Sequence, residues 1–109
     1  MAIQRRASSF LLGAAVVGVT VIVGAQVRPN VKPKAGYVPN ADTAVVIGVA
    51  VLGPIYGESS VASHKPYSAT LADGTWTVRG TLPPGTAGGT AVAEISKDDG
   101  RVVRVFHEQ

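Results

Sequence analysis

Cysteine is absent from this chain. That excludes a disulfide framework, a thiol nucleophile, a zinc–thiolate site and lipid attachment at a cysteine. It does not assign a compartment. Only two histidines, His64 and His107, are present as proton shuttles near neutral pH. Aromatic residues are scarce as well, with one tryptophan, three tyrosines and two phenylalanines. Excess charge of one sign is also missing where it would matter. With Arg5 and Arg6 set aside, eight basic residues face seven acidic ones. Nucleic-acid binding calls for a clustered basic face, so that class is set aside.

What remains is apolar and small. The 109 residues are 46% hydrophobic and 16% charged, enough for one domain with a modest core. Residues 1–27 begin with Arg5 and Arg6, followed by an apolar run from Phe10 to Ala25. This is the layout of a secretory signal or a membrane anchor. Val23-Gly24-Ala25 has the small-residue spacing for cleavage, whereas the β-branched run suits a retained anchor. Twin-arginine export fits poorly, because Ala7-Ser8-Ser9 follows the arginines. On either reading the remainder is expected outside the cytoplasm, at the inner membrane or in the periplasm. Residues 28–40 contain three prolines, with Arg28, Lys32 and Lys34. Proline restricts itself and its predecessor, so this stretch is predicted to be an extended, unpaired linker.

Residues 41–109 are predicted to form an α+β binding domain. Asn40 is suited to cap a helix over Ala41–Tyr56, and Asp42 lies where the helix dipole favours an acid. Apolar residues fall all round this segment, so the helix should be nearly enclosed. Gly53-Pro54 should kink or end it, and Gly57 should stop it after Tyr56. Pro66–Ala72 and Thr75–Thr81 flank Asp73-Gly74, a strong hairpin signal. That turn sets Leu71 opposite Trp76 and Ala69 opposite Val78, all on one face, with Thr70, Thr77 and Arg79 on the other. A second hairpin joins Thr90–Lys97 to Arg101–His107 through Asp98-Asp99-Gly100. Its register is predicted to set Lys97 against Arg101, Ile95 against Val103, Ala93 against Val105 and Glu94 against Arg104. The result is one main helix on a four-stranded antiparallel meander, an α+β layout with the helix packed on one face of the sheet.

Catalytic groups do not converge in this sequence. A metal site would need His64 or His107 to meet Glu58, Glu94 or Glu108, and none has ligand spacing. Ser59, Ser60 and Ser63 have no acid–base partner placed by sequence. The glycine-rich stretch from Gly85 to Gly89 lacks the lysine and flanking helix of a phosphate loop. No cofactor is implied. Trp76 is read as core rather than as a partner anchor, because its strand position faces Leu71 and Val78.

The order Pro54-Ile55-Tyr56-Gly57, Lys65-Pro66-Tyr67, Leu71-Ala72-Asp73-Gly74-Thr75-Trp76-Thr77-Val78 resembles a known family. The likeness continues through Gly80-Thr81-Leu82-Pro83, Gly88-Gly89, Glu94-Ile95-Ser96-Lys97 and Asp99-Gly100-Arg101-Val102, with His107 near the end. These residues resemble the immunity proteins with a nuclear transport factor 2 fold. The resemblance implies a helix against a curved antiparallel sheet and a role in neutralising a cognate bacterial toxin. The matching positions read as structural (Tyr56, Gly57, Pro66, Asp73, Gly74, Trp76, Gly88, Gly89 and Gly100), and none is marked as catalytic or toxin-contacting. Enzymes of the wider fold enclose a deep cavity, for which this stretch has too few walls. A structural or accessory envelope protein is the alternative reading, and a small hydrolase or isomerase a remote one.

Overall fold

The computed structural model describes residues 28–109, so the leader expected at residues 1–27 lies outside the described residues. In chain order the elements are α1 (Ala41–Tyr56), α2 (Glu58–Ala62), β1 (Ser68–Ala72), β2 (Thr75–Arg79), β3 (Ala91–Ser96) and β4 (Val102–His107). The four strands form one antiparallel sheet in the order β1-β2-β3-β4, and α1 packs on one face of it. This is the α+β meander predicted from the sequence.

Helix α1 begins where the cap predicts. The Asn40 side chain accepts a 2.8 Å hydrogen bond from the Thr43 N–H, and Asp42 occupies the first turn. Of the kink or end predicted at Gly53-Pro54, the end does not occur, since the helix continues through Pro54 to Tyr56. Pro54 lacks an N–H, so the carbonyl four residues back loses its partner; that residue, Ala50, is exposed and its carbonyl can turn to water. Gly57, at φ +98°, then ends α1 with a 2.8 Å bond from its N–H to the Gly53 carbonyl. The short helix α2, not predicted from the sequence, follows at once and buries Val61.

The helix is also less enclosed than its composition predicts. Ala44, Gly48 and Leu52 are buried against the sheet, whereas Val46 is 69% exposed and Ile55 55% exposed. A single sheet covers a single side of a helix, and nothing among the described residues covers the other. The contact is close. A Cβ at Gly48 would lie 2.7–3.0 Å from three side-chain carbons of Val78. Ala44, Leu52, Val61, Trp76, Val78, Ala91, Ala93 and Ile95 form the core between the layers.

The first hairpin has the predicted register, with Ala72 opposite Thr75, Leu71 opposite Trp76 and Ala69 opposite Val78. Asp73 and Gly74 both have positive φ, at 49° and 75°, as a two-residue turn of this twist requires. Leu71 lies on the edge strand and stays 45% exposed. In the second hairpin, Ala93 faces Val105 and Glu94 faces Arg104 as predicted, but Ile95 pairs with Val102 rather than Val103. A bulge at Val103 absorbs the difference. Lys97 belongs to the loop, and its backbone faces away from β4. Its N–H donates to the Gly74 carbonyl at 2.9 Å, and its carbonyl accepts from Val38 N–H at 3.0 Å. The hairpin closes at Ser96 instead, with its N–H on the Arg101 carbonyl at 2.8 Å and its carbonyl accepting from the Gly100 N–H at 2.9 Å.

Val38 marks the largest departure from the sequence reading, which predicted an unpaired linker over residues 28–40. The end of that segment is a strap that closes the core. Tyr37 N–H donates to Asp98 O at 2.9 Å beside the Val38–Lys97 bond, and Val38 is 1% exposed within the core. The indole N–H of Trp76 donates to the Val38 carbonyl at 2.8 Å, which supplies the partner that a buried tryptophan needs. Lys32 pairs with Asp98 at 2.8 Å and sits 5.6 Å from the Tyr37 ring centroid, and the Lys97 ammonium donates to the Ala35 carbonyl. Gly36 makes the approach feasible. Its φ is +93°, and a Cβ there would fall 2.4 Å from the Lys97 carbonyl oxygen.

Candidate interaction surface

Strand periodicity divides the sheet into two faces. Trp76, Val78, Ala91, Ala93 and Ile95 turn toward α1. The other face carries residues that the register sets side by side. Thr70, Thr77, Glu94 and Arg104 form one row across all four strands. Ser68, Arg79, Val92 and Phe106 form the next. No helix among the described residues covers this face.

Two clamps stiffen it. Arg104 makes a forked contact with Glu94, through Nε at 3.2 Å and a terminal nitrogen at 3.0 Å. The Glu94 carboxylate, as hydrogen-bond and charge partner, raises the Arg104 pKa further above its ordinary value. The same guanidinium lies over the Phe106 ring, 4.4 Å from its centroid. Arg79 reaches Glu108 at 3.0 Å and ties β2 to the residue after β4. Between Arg79 and Phe106, Val92 is fully buried even though it belongs to this outer face. The aliphatic stem of the arginine and the aromatic ring can shield it while the charge stays in water.

The connection from Leu82 to Gly89 joins β2 to β3 beside one end of this face. Residues 83–88 are exposed, and one turn, Thr86 N–H to Pro83 O at 3.1 Å, shapes them. Gly88 has φ +106°, and Gly89 lies so near Glu108 that a Cβ would be 2.4 Å from its side chain. At the opposite end, Gly100 takes φ +78° in the β3–β4 loop. There the Asp99 carboxyl sits below its usual pKa, chiefly because the Arg101 backbone N–H donates to it at 2.9 Å and secondarily through Ser96. A group depressed in the folded chain stabilises it above its unfolded pKa and loses that contribution as pH falls through the folded value. Carbon-13 NMR titration should therefore place the Asp99 midpoint below that of the Asp99 carboxyl in the urea-unfolded chain. Equal midpoints would refute the assignment.

The residues that could serve chemistry do not assemble. His64 is half-buried, and its carbonyl accepts from Thr81 N–H at 2.7 Å. His107 is exposed and meets Tyr56 edge-on, with ring centroids 5.5 Å apart. The Ser63 hydroxyl donates to the Ser60 carbonyl at 2.7 Å. Tyr67 donates its phenol to Val61 O at 2.9 Å, and burial raises its pKa. Among the described residues, no three His, Asp or Glu side chains are placed to hold a metal ion, and no pocket opens. Tyr56 and Pro66 sit at corners, with the Pro66 carbonyl accepting from the Thr81 hydroxyl at 2.6 Å. The arrangement is suited to contact rather than enclosure: a braced, open sheet face with a loop at its end. The strap was invisible in the sequence because hydrogen bonds to its own backbone leave no residue signature, and Tyr37-Val38 was the sole apolar hint.

A family model described as "NTF2 fold immunity protein" matches residues 43–109. Two proteins of Escherichia coli (strain K12) are similar over part of their length. One, named "Uncharacterized protein YhhH", is 38% identical over 53 residues, which is 48% of this chain and 42% of that protein. The other, named "Uncharacterized protein YbbC", is 38% identical over 55 residues, 50% of this chain and 45% of that protein. The matched stretches thus span less than half the length of either relative. No solved structure matches.

Proposed function

The chain belongs to the NTF2 fold immunity protein family, and from that premise we propose that it neutralises a cognate protein toxin by direct contact outside the cytoplasm. The family membership carries the reading. The outer sheet face supports it, because the row Thr70, Thr77, Glu94 and Arg104 offers hydroxyls and a fixed charge pair on a rigid backing. Rigid surfaces lose little entropy on binding, so a toxin would meet a preformed site. The function is one of binding, not turnover. An extracytoplasmic location is supported by Arg5, Arg6 and the apolar run Phe10–Ala25 in the sequence.

Co-expression tests this directly. Cells carrying the full chain should survive an exported toxin encoded beside it. The Arg104→Glu variant, which reverses an exposed charge on the proposed face, should protect at least about tenfold less, equivalent to roughly 1.4 kcal/mol of binding. A chain without residues 1–27 should not protect at all. Sensitivity unchanged by the full chain, for every adjacent toxin candidate, would end the proposal.

A further inference from the structure

Among the described residues the sheet ends at β4, with that edge uncovered, since no strand follows β4 in the sheet order. The phase of the ladder says which backbone groups are unused. Glu108 N–H donates to Thr90 O at 3.0 Å, and Ala91 stands opposite His107. Antiparallel pairs alternate between exchanging and not exchanging hydrogen bonds. Arg104 and Phe106 therefore turn their N–H and C=O groups to β3, while Val105 and His107 turn theirs outward.

Exposed edges are ordinarily guarded by lysine, proline, an unpaired charge or a bulge. The bulge of β4 lies at Val103, near its start, and leaves Val105 to His107 unguarded. Strand β4 reads Val102-Val103-Arg104-Val105-Phe106-His107, with neither lysine nor proline. Its one fixed charge is already neutralised by the forked contact with Glu94. Val102 and Val103 are each 44% exposed. The other edge, β1, is shorter and built from Ser, Ala and Thr with one leucine, a weaker strand former on every count.

We propose that β4 pairs with β4 of a second copy of this chain, antiparallel and centred on Val105, to make a continuous eight-stranded sheet. Self-pairing requires that outward-facing residues meet outward-facing residues, which restricts the centre to a few positions. Centring on Arg104 would oppose two guanidinium groups directly. Centring on Phe106 would run the partner past the strand end at His107. With the centre at Val105, the two Val105 residues exchange both hydrogen bonds, and Val103 stands opposite His107 of the partner subunit. Arg104 then lies beside Phe106 of the partner subunit, repeating across the seam the cation–aromatic contact that each chain already makes within itself. A seam of one six-residue strand buries less than a standard interface of about 1,600 Å², so the dimer forms reversibly and depends on concentration.

The absence of cysteine makes the test clean, because one introduced thiol is the only thiol. In the full chain, purified in a mild non-ionic detergent and treated with a copper oxidant, Val105→Cys should yield a disulfide-linked species of twice 11.1 kDa. Opposed residues in a hydrogen-bonded pair lie about 5.5 Å apart at Cα, within reach of a disulfide. Thr70→Cys, exposed but off this edge, should yield at least about tenfold less, since the Cα separation a disulfide needs is not met there. Val105→Pro removes an N–H that the β3 ladder does not use. It should lower the sedimentation mass to that of a monomer while the far-ultraviolet circular dichroism stays unchanged. Equal cross-linking at both cysteines, or an unsubstituted chain that remains monomeric at every concentration, overturns the proposal. So does a monomer whose edge only a foreign strand closes.

Discussion

Replacing Trp76 with alanine should cost the domain about 3–5 kcal/mol, the range for removing a large buried aromatic. The side chain is 7% exposed and sits in the middle of the core, opposite Leu71 on one side and Ile95 on the other. The loss has a second part. The Trp76 indole is the donor to the Val38 carbonyl, so alanine also releases the strap that closes the core edge. A domain of this size has about 5–15 kcal/mol of stability in all, and this one change takes a large share of it. Urea unfolding followed by circular dichroism measures the loss. Trp76→Phe separates the two contributions: it keeps most of the packing and forfeits the hydrogen bond, for about 1 kcal/mol plus a smaller cavity term. If the alanine variant unfolded within about 1 kcal/mol of the parent, a burial role of this size would be ruled out.

Gly48→Leu should destabilise by about 3 kcal/mol, at the upper end for overpacking. Sequence rules alone point the other way. Glycine inside a helix is about 1 kcal/mol worse than alanine, and leucine is a good helix former. The structure reverses the sign because α1 crosses β2 at this position. A Cβ would meet Cγ1, Cβ and Cγ2 of Val78 at 2.7, 2.8 and 3.0 Å. Val78 is fully buried and β-branched, so its χ1 is restricted and the side chain has little room to yield. The helix must lift off the sheet instead, opening the contacts of Ala44 and Leu52 on the adjacent turns. Gly48→Ala should show the same conflict in milder form, with its propensity gain offset by the clash. A shift in the urea midpoint toward lower denaturant at unchanged slope is the expected readout. A stabilised leucine variant would mean that the helix does not lie this close.

The strap and the open edge change what the domain can be used for. Because Val38 and Tyr37 pair with Lys97 and Asp98, the β3–β4 loop is already engaged. Among the described residues, the faces left for partners include the outer sheet surface, the connection from Leu82 to Gly89, the β4 edge and the exposed flank of α1. The first two serve the proposed toxin contact, and the third serves self-pairing. The two proposals are separable. A chain that protects cells but never dimerises retains the first, and a dimer that protects against nothing retains the second.

Local chemistry alone determined most of the scaffold. Asn40 and Gly57 delimit α1, Asp73-Gly74 sets the first hairpin and its register, and strand alternation places Trp76 and Val78 on the same side. Each of these rests on interactions between residues a few positions apart, which a sequence displays directly. Contacts between distant segments decided the rest. The second hairpin closes at Ser96 and Arg101 rather than at Lys97, and a bulge at Val103 takes up the difference. Tyr37 and Val38 are held to the core through main-chain bonds to Asp98 and Lys97, far along the chain, and backbone groups are alike in every residue. Among the described residues, the exposed flank of α1 and the free edge of β4 likewise follow from how many layers surround them. Composition records how apolar a segment is, but only the packed structure shows which side is covered.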